Sequence, residues 1–444
     1  MKNWRFFFYI SGLLLTIACS NEDHPLSLST NSLNLKQDFW EQTVNIQAPG
    51  KWTARSDVDW CGPYQMSGEG DKTLTLWVKP NLSDQQRSGT LTIKSGGDTE
   101  TIALSQPAFQ GSLDDFTYHL PVIFHILYKD KNDPLQYPAE GRMAEILKGV
   151  NRLYANNKMN VQFELAKFDQ TGKELEEPGV MREAIKVDSI SSMKFLAQNN
   201  TDYGYLNQDF QRYINIFVFA YSEKKNLGVS DLPVMPTEHT MDGLANQAGK
   251  ELQTFKTLGF PWGVTINNQI IDQDQEPRTI NPRYVTLTLA HELGHYIGLL
   301  HTFSQNECYE DDYCDDTKNC DYNAYEQELS RYMDEVAASG GKIDADIVLR
   351  RISCADGSEY RADNILDYMY TIGNIFTEQQ KARVQKVLNY CPMVPGPKLE
   401  IYNTAKTRAT DYFIMPRLSD CPEVNGNVNG NGNVNGNQRS WLAR

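Results

Sequence analysis

The chain has 444 residues, a formal net charge of −15 at pH 7 and a pI near 5.0. This acidic balance excludes a nucleic-acid partner, because phosphate binding requires a basic face. The length leaves room for two or three domains that each bury a core.

The N-terminus has the features of an export signal. Two basic residues precede an apolar run, Phe6–Ala18, which is too short to span a bilayer and is typical of a signal-peptide core. The residues before Cys19 resemble a relaxed lipobox, which implies a signal peptide of residues 1–18 and a lipid on Cys19; the alternative is an ordinary signal peptide cut nearby. Ser20–Asp23 resembles the surface-export signals of some Gram-negative lipoproteins. We therefore expect an exported protein that is lipid-anchored to the bacterial outer membrane, exposed at the cell surface and linked through residues 19–26.

Residues 27–108 form short runs in which apolar and polar positions alternate between turn residues. This pattern predicts an all-β, antiparallel sandwich. The predicted strands are Leu33–Leu35, Thr43–Gln47, Thr73–Val78, Gly89–Ile93 and Thr101–Leu104.

The order of five residues in this segment resembles the pattern of the BACON module, an Ig-like domain common in bacterial carbohydrate-handling lipoproteins. They are Trp52, Trp60, Asn81, Arg87 and Gln106. The resemblance implies an Ig-like sandwich and a possible glycan partner, with Trp52 or Trp60 as a sugar platform. The alternative, which we favour, is that both tryptophans fill the core and the module is a spacer.

A linker, residues 109–116, leads to a second pattern over residues 117–396. A continuous apolar run with β-branched residues predicts a strand buried on both faces, and apolar residues at three- and four-residue spacing predict a helix. The predicted elements are the strand Leu120–Tyr128, the helix Met143–Tyr154 and the strands Val161–Ala166 and Ile214–Ala220. This order of elements indicates an α/β (α+β) domain.

Two further segments are candidates for strands that border a cleft. They are Leu227–Pro233 and Trp262–Asn267. An exposed strand edge there could take an extended peptide by main-chain pairing.

The stretch HELGHYIGLLH, His291–His301, concentrates groups that bind metals. The preceding segment Tyr284–Ala290 is apolar and unbroken, so we expect His291, Glu292 and His295 on a buried helix. Residues four apart on a helix differ by about 40° in azimuth and about 6 Å in height, so the first two histidines can face one metal ion.

A third ligand cannot come from the same straight helix, because His301 would be rotated about 240° from His295 and lie about 9 Å beyond it. Gly298 stands where the chain must turn, since glycine takes positive φ without a Cβ penalty. Zinc held by His291, His295 and His301 would keep a fourth position open, as in catalytic sites. The alternative is three structural histidines, but three of the chain's seven histidines fall in these eleven residues. His119 and His125 lie outside this pattern and are expected to be structural, and His239 falls in a loop and carries no motif.

The loop after the third histidine is rich in carboxylates and cysteines. The acids are Glu307, Glu310, Asp311, Asp312, Asp315 and Asp316. They predict either a calcium site, because Ca²⁺ prefers oxygen ligands, or a solvated loop held by disulfides. Six cysteines lie from Cys308 to Cys421, so two or three disulfides are expected in an exported protein. Cys61 is alone in its domain and is either a thiolate ligand that blocks the zinc or a buried thiol.

The extended histidine motif resembles that of the metzincin metalloproteases. With Asn364–Tyr370, the opening Phe124–Tyr128 and the segment from Phe376 to Arg383, the chain resembles the pappalysin-like zinc metalloprotease lipoproteins of that group. The resemblance implies a protein or peptide substrate, Glu292 as general base and a methionine turn beneath the metal. Leu366 stands at the methionine position and can supply the same apolar floor.

Tyr368 occupies the family tyrosine position, which implies a place near zinc or the developing oxyanion. The alternative is a core aromatic residue.

The expected reaction is hydrolysis of a peptide bond by a zinc-bound water that Glu292 deprotonates, with Tyr368 as a further catalytic residue. Two rival hypotheses remain: a glycan-binding surface lipoprotein and a catalytically inactive metal-binding scaffold. Residues 397–444 are expected to form a tail, of low complexity from residue 424.

Overall fold

The computed structural model describes residues 24–37, 40–223, 225–254, 258–274, 284–305, 307–368, 370–399 and the strand Trp441–Ala443. The predicted signal peptide, Cys19, Cys421 and the repeat at residues 424–437 lie outside these residues. None of the helices in the described part of the chain has the length and apolar character that crossing a membrane requires.

The chain divides into two compact units. The first comprises Met1–Asn34, Glu41–Trp77 and Ser88–Ser105, and the second comprises Leu35–Trp40, Val78–Arg87 and Gln106–Arg444. Two stretches of the predicted N-terminal domain therefore cluster with the second unit.

The first unit is built from nine strands in two sheets. They are β1 Ser27–Leu28, β2 Ser32–Asn34, β3 Glu41–Gln47, β4 Lys51–Ser56, β5 Cys61–Pro63, β6 Ser67–Glu69, β7 Lys72–Val78, β8 Arg87–Ser95 and β9 Asp98–Gln106. The sheet orders are β1-β3-β7-β5 and β2-β9-β8-β4-β6. Strand β3 pairs antiparallel with β1 and β7, and β4 with β6 and β8, whereas β2 pairs parallel with β9.

Burial in this unit follows the alternation of the sequence. Strand β3 buries Val44 and Ile46 and exposes the alternating residues Thr43, Asn45 and Gln47. Trp52 and Trp60 are buried, as the core interpretation predicts, and neither offers an open ring face to a sugar. Cys61 is fully buried in β5, which agrees with a buried thiol.

The second unit contains the remaining strands and all the helices described. The strands are β10 Tyr118–Tyr128, β11 Val161–Leu165, β12 Val180–Ala184, β13 Ile214–Phe219, β14 Gly228–Ser230, β15 Met235–Pro236, β16 Asn246–Gln247, β17 Val264–Asn267, β18 Arg350–Ile352, β19 Glu359–Arg361 and β20 Trp441–Ala443. The α-helices are α1 Arg142–Asn156, α2 Ser192–Phe195, α3 Gly249–Leu252, α4 Val285–Tyr296, α5 Tyr322–Ser339, α6 Ala345–Val348 and α7 Glu378–Tyr390.

A mixed sheet forms the base of this unit, in the order β11-β10-β13-β17-β14-β20. Strand β10 pairs parallel with β11 through Tyr118–Val122, with β12 through Phe124–Tyr128 and with β13 on its other side. Strand β13 pairs parallel with β17, and β14 reverses direction against β17. The central strands are buried on both faces, as their continuous apolar runs predict.

Helices α1 and α4 lie together in this unit. A Cβ built on Gly149 of α1 would lie 2.7 Å from the Thr286 side chain of α4, so the absence of a side chain permits the close approach. The Tyr154 hydroxyl of α1 donates to the Ala290 carbonyl at 3.0 Å, one residue before the first histidine of the motif. Helix α1 therefore supports the start of the motif.

Candidate functional site

Helix α4 carries the first three residues of the histidine motif, as predicted. Its residues from Val285 to Tyr296 are buried except Leu287. His291, Glu292 and His295 are among the buried residues, so the environment excludes bulk water from their polar atoms.

The helix ends where the sequence predicts the turn. Gly298 has φ +101°, a backbone conformation that favours glycine, and a Cβ there would lie 2.5 Å from Val387 of α7. The Arg383 guanidinium of α7 donates to the Gly298 carbonyl at 3.3 Å. Helix α7 therefore holds the turn that brings His301 back toward α4.

The three histidines converge on one point. Each pair of Nε2 atoms among His291, His295 and His301 is 3.0 Å apart. The Nδ1 atoms of His291 and His295 donate to the carbonyls of Ile365 and Leu299, each at 2.8 Å. Because carbonyls only accept, these two imidazoles, when neutral, carry their proton on Nδ1 and direct an Nε2 lone pair at the common centre.

Burial keeps these imidazoles neutral. It lowers the pKa of His291 to about 4, against a smaller opposing effect of the Ile365 carbonyl. The pKa values of His295 and His301 also fall well below the usual range, first through burial and then through the neighbouring histidines. The cluster is therefore able to ligate a cation at neutral pH.

This arrangement fits zinc. Zinc–nitrogen bonds of about 2.0–2.1 Å at a tetrahedral angle place two nitrogens roughly 3.3 Å apart, close to the 3.0 Å found here. Lone pairs aimed at one another are unfavourable without a cation between them. Among the described residues this is the only group of three or more His, Cys, Asp and Glu residues close enough to share an ion.

Glu292 lies beside the cluster and against strand β14. A Cβ built on Gly228 would lie 2.6 Å from Glu292 Cγ and 2.7 Å from its Oε1. Any larger residue at this position would displace the carboxylate. The other edge of β14 pairs antiparallel with β20, Ser230 with Trp441 and Gly228 with Ala443.

The segment Asn364–Tyr368 lies against the histidine site, where the Ile365 carbonyl accepts the hydrogen bond of His291. Leu366 is fully buried, and a Cβ on Gly294 of α4 would lie 3.2 Å from it, so Leu366 packs against the helix that carries the first two histidines. The Asn364 side chain donates from Nδ2 to Gln380 Oε1 of α7 at 2.9 Å, and its Oδ1 accepts from the Leu366 backbone N–H at 2.8 Å. Met369 lies outside the described residues.

Tyr368 is buried beside the histidines. Its ring centroid is 4.2 Å from that of His301 and 5.7 Å from that of His291. Phe303 and Tyr322 complete the aromatic cluster, at 4.5 and 5.4 Å from Tyr368. This position is compatible with both interpretations of Tyr368.

The carboxylates of the acidic loop accept hydrogen bonds from the chain around them. Asp312 accepts from Thr317 and from the Cys314 amide, Glu310 from the Gln305 amide and Asp316 from the Gln379 amide. The calcium site stays a prediction. The loop is held by a disulfide, as the alternative expects.

The expectation of two or three disulfides is wrong for the described cysteines, which form one, Cys308–Cys354. Cys314, Cys320 and Cys391 are buried thiols. Burial raises the pKa of Cys391 to about 11, and its thiol donates to the Val234 carbonyl. These cysteines belong to the core, where a thiol behaves as a small apolar side chain.

The other histidines lie apart from the cluster, as expected. His125 is buried and its Nε2 is 3.0 Å from Asn215 Oδ1. His119 pairs with Glu164, and His239 stacks on Tyr390 at 3.7 Å.

Sequence reasoning missed several residues that shape the site. The sequence predicted no role for Gly228, for the pair of Asn364 with Gln380, or for Arg351. A glycine inside a predicted strand is a signal of close approach, and it could have identified Gly228. The others depend on contacts between residues distant in sequence.

Two family models match the chain. Residues 50–107 match BACON, described as "Putative binding domain, N-terminal", and residues 128–335 match "Metallo-peptidase family M12". The second match contains the histidine motif.

Individual proteins show more limited similarity. A xyloglucan-specific endo-beta-1,4-glucanase of Bacteroides ovatus is 29% identical over 91 residues, which are 19% of this chain and 18% of that protein. Mature mirolysin of Tannerella forsythia, in complex with a cleaved peptide, is 20% identical over 62% of this chain and 92% of that chain, with a TM-score of 0.41. A promirolysin mutant of the same organism is 18% identical over 63% and 83% of the two chains, with the same TM-score.

The family matches agree with the site. The M12 match covers the helix, the turn and the third histidine, and the three imidazoles have the geometry of a zinc centre. The chain therefore carries an N-terminal BACON domain followed by a metallopeptidase domain of the M12 type, and this second domain has the three-histidine site of a metzincin-type zinc endopeptidase.

Proposed function

We propose that this protein is an exported peptidase of the pappalysin-like type that hydrolyses internal peptide bonds with Glu292 as general base. The convergence of three Nε2 lone pairs beside the buried Glu292 carboxylate carries the proposal. His291, His295 and His301 would hold zinc, which supplies Lewis acidity and lowers the pKa of a bound water to about 7.

The chain's own residues handle the proton and the developing charge. Glu292 takes the proton of the attacking water and returns it to the leaving amine. Gly228 leaves room for the Glu292 carboxylate to reach both positions. The Tyr368 hydroxyl stabilises the negative charge that develops on the carbonyl oxygen of the substrate.

The substrate is a protein or peptide that lies extended along β14. Two observations support this: β14 is an antiparallel strand directly beside Glu292, and its outer edge accepts an extended segment, Trp441–Ala443. Main-chain pairing of this kind gives affinity while side-chain pockets give selectivity. A substrate with the same polarity as β20 runs from Ser230 toward Gly228.

The location of the protein is part of the proposal. A signal peptide of residues 1–18 and a lipid on Cys19 would anchor the chain to the bacterial outer membrane at the cell surface. The BACON domain then acts as a spacer, since both tryptophans considered as sugar platforms are buried. The glycan-binding alternative predicts polysaccharide affinity in residues 27–108 alone.

Hydrolysis of a mixed peptide library by the chain without residues 1–19 tests the proposal, with mass spectrometry to locate the cuts. We expect cleavage that a zinc chelator abolishes and added zinc restores. An uncleaved library with about one zinc bound per chain would contradict the proposal and favour the inactive scaffold.

A further inference from the structure

Arg351 of β18 is a buried cation that the reaction does not use directly. It lies against the turn at Asn364–Tyr368, where it donates to the Tyr368 carbonyl, and its side chain has 0% exposure. A buried guanidinium is costly unless its donors find partners. The partners of the guanidinium therefore indicate the role of Arg351.

Half of these partners belong to the turn that carries Tyr368. Arg351 Nη2 donates to the carbonyls of Tyr368 at 3.1 Å and of Tyr370 at 2.9 Å. Asp367 Oδ1 lies 3.8 Å from the same nitrogen and accepts from the Tyr368 amide at 2.8 Å. One side chain thus contacts the backbone on both sides of residue 369.

The opposite side of the guanidinium is also held. Its Cζ lies 3.4 Å from the centroid of the Tyr325 ring, and Nη1 donates to the Val348 carbonyl at 3.0 Å. The Tyr325 hydroxyl donates to the same carbonyl at 2.7 Å. Arg351 is therefore held by contacts with α5 and α6. Its hydrogen bonds to the turn then restrain the backbone at Tyr368.

The turn sets the position of the Tyr368 ring against the histidines. The ring centroids of Tyr368 and His301 are 4.2 Å apart, so a small backbone shift changes where the hydroxyl lies. Displacements of about 1 Å can reduce turnover by roughly 100-fold.

We propose that Arg351 is a positioning residue that holds Tyr368 in its working orientation beside the zinc ligands. This inference rests on the proposed function, because the orientation of Tyr368 matters to turnover only in an active peptidase. A lysine cannot replace the arginine, since it has neither the planar fork for two carbonyls nor the flat face for Tyr325.

A double-mutant cycle tests the inference. We expect Arg351→Lys to lower kcat about tenfold or more, with KM within about twofold and the zinc content unchanged. In a Tyr368→Phe background the same change should cost less than about twofold, because the effect acts through Tyr368. An equal loss in both backgrounds would overturn the inference.

Arg350→Lys is the matched control. Arg350 precedes Arg351 in β18, but its side chain is 48% exposed and pairs with Glu359 at 3.3 Å. We expect wild-type kinetics from this variant. If Arg351→Lys does not fold, Asp367→Asn provides the second test, since it removes the counter-charge of Arg351 and should show the same dependence on Tyr368.

A second readout does not require activity. In the zinc-free chain labelled with fluorotyrosine, the ¹⁹F resonance absent from Tyr368→Phe belongs to Tyr368. We expect this resonance to shift and broaden in Arg351→Lys and to stay unchanged in Arg350→Lys. An unchanged resonance in Arg351→Lys would overturn the inference even if the wild-type chain cleaved no peptide, so the two proposals fail separately.

Discussion

At the scale of single residues, burial determines what each histidine can do. His291, His295 and His301 point at one another with their lone pairs, which favours a cation at the centre. His125 is equally buried but has an amide partner, Asn215, and belongs to no group of three or more potential metal ligands among the described residues. The same side chain is thus a ligand in one place and a core residue in the other.

His125 makes the stability of the chain depend on pH. Burial lowers its pKa to about 4, partly offset by Asn215, whereas an unfolded histidine titrates near 6.5. The unfolded chain therefore binds more protons between these values. The stabilisation is complete above about pH 6.5 and is lost as the pH falls through about 4.

Comparison with His125→Gln measures this contribution, because glutamine does not titrate. Between pH 7 and pH 5 we expect the free energy of unfolding of the zinc-free wild-type chain to fall by about 2 kcal/mol more than that of the variant. Denaturant titrations at the two pH values give both quantities. Equal pH dependence in the two proteins would contradict the assignment.

At the scale of elements, the site is built where α4, strand β14 and the turn at Asn364–Tyr368 meet. Strand β14 lies so close to α4 that only glycine fits at residue 228. The position of the Glu292 carboxylate thus depends on a strand as well as on its own helix.

Gly228→Ala tests this dependence. The added Cβ would lie 2.6 Å from Glu292 Cγ, so we expect kcat/KM to fall about tenfold to 100-fold while zinc is retained. Gly259→Ala is the control, because a Cβ there meets nothing within 4 Å. Full activity of Gly228→Ala would show that the carboxylate position does not depend on β14.

Elements with a strong periodic or apolar pattern were predictable from the sequence. Helix α4, helix α1 and strands β10 and β13 follow their predictions closely. Short strands such as β5 and β12 were missed, because three to five residues carry too little pattern to distinguish a strand from a loop.

The candidate site was only partly predictable. Helix geometry predicted that His291 and His295 face one metal ion, and the turn at Gly298 predicted the return of His301. The role of Glu292 came from the family resemblance. Arg351 and Gln380 act through contacts that join distant parts of the chain, and no local pattern specifies such contacts. For Gly228 the sequence offered a signal of close approach, a glycine inside a predicted strand, but not the residue that it approaches. Among the described cysteines the number of disulfides was overestimated, because an even cysteine count does not reveal which thiols are buried singly.

At the scale of the whole molecule, the two compact units predict two unfolding transitions. The zinc ligands belong to the second unit. A ligand that binds only the folded form stabilises it by about 4 kcal/mol at 1,000 times its Kd. Zinc should therefore raise the temperature of one transition only.

Differential scanning calorimetry of the full chain with and without zinc measures this effect. We expect zinc to raise the midpoint temperature of the second unit's transition and to leave that of the first unit unchanged. His301→Asn should abolish most of the shift. Equal shifts of both transitions would contradict the independence of the units, and no shift at all would contradict the zinc site.

We propose that three histidines hold zinc while Glu292 performs proton transfer. Zinc content and peptide hydrolysis of Glu292→Gln test it most directly, with the exposed Glu328→Gln of α5 as the control. We expect Glu292→Gln to bind about one zinc per chain and to lose about 100-fold to 10,000-fold in kcat, and Glu328→Gln to match the wild type. Wild-type turnover by Glu292→Gln would contradict the role of Glu292 as general base.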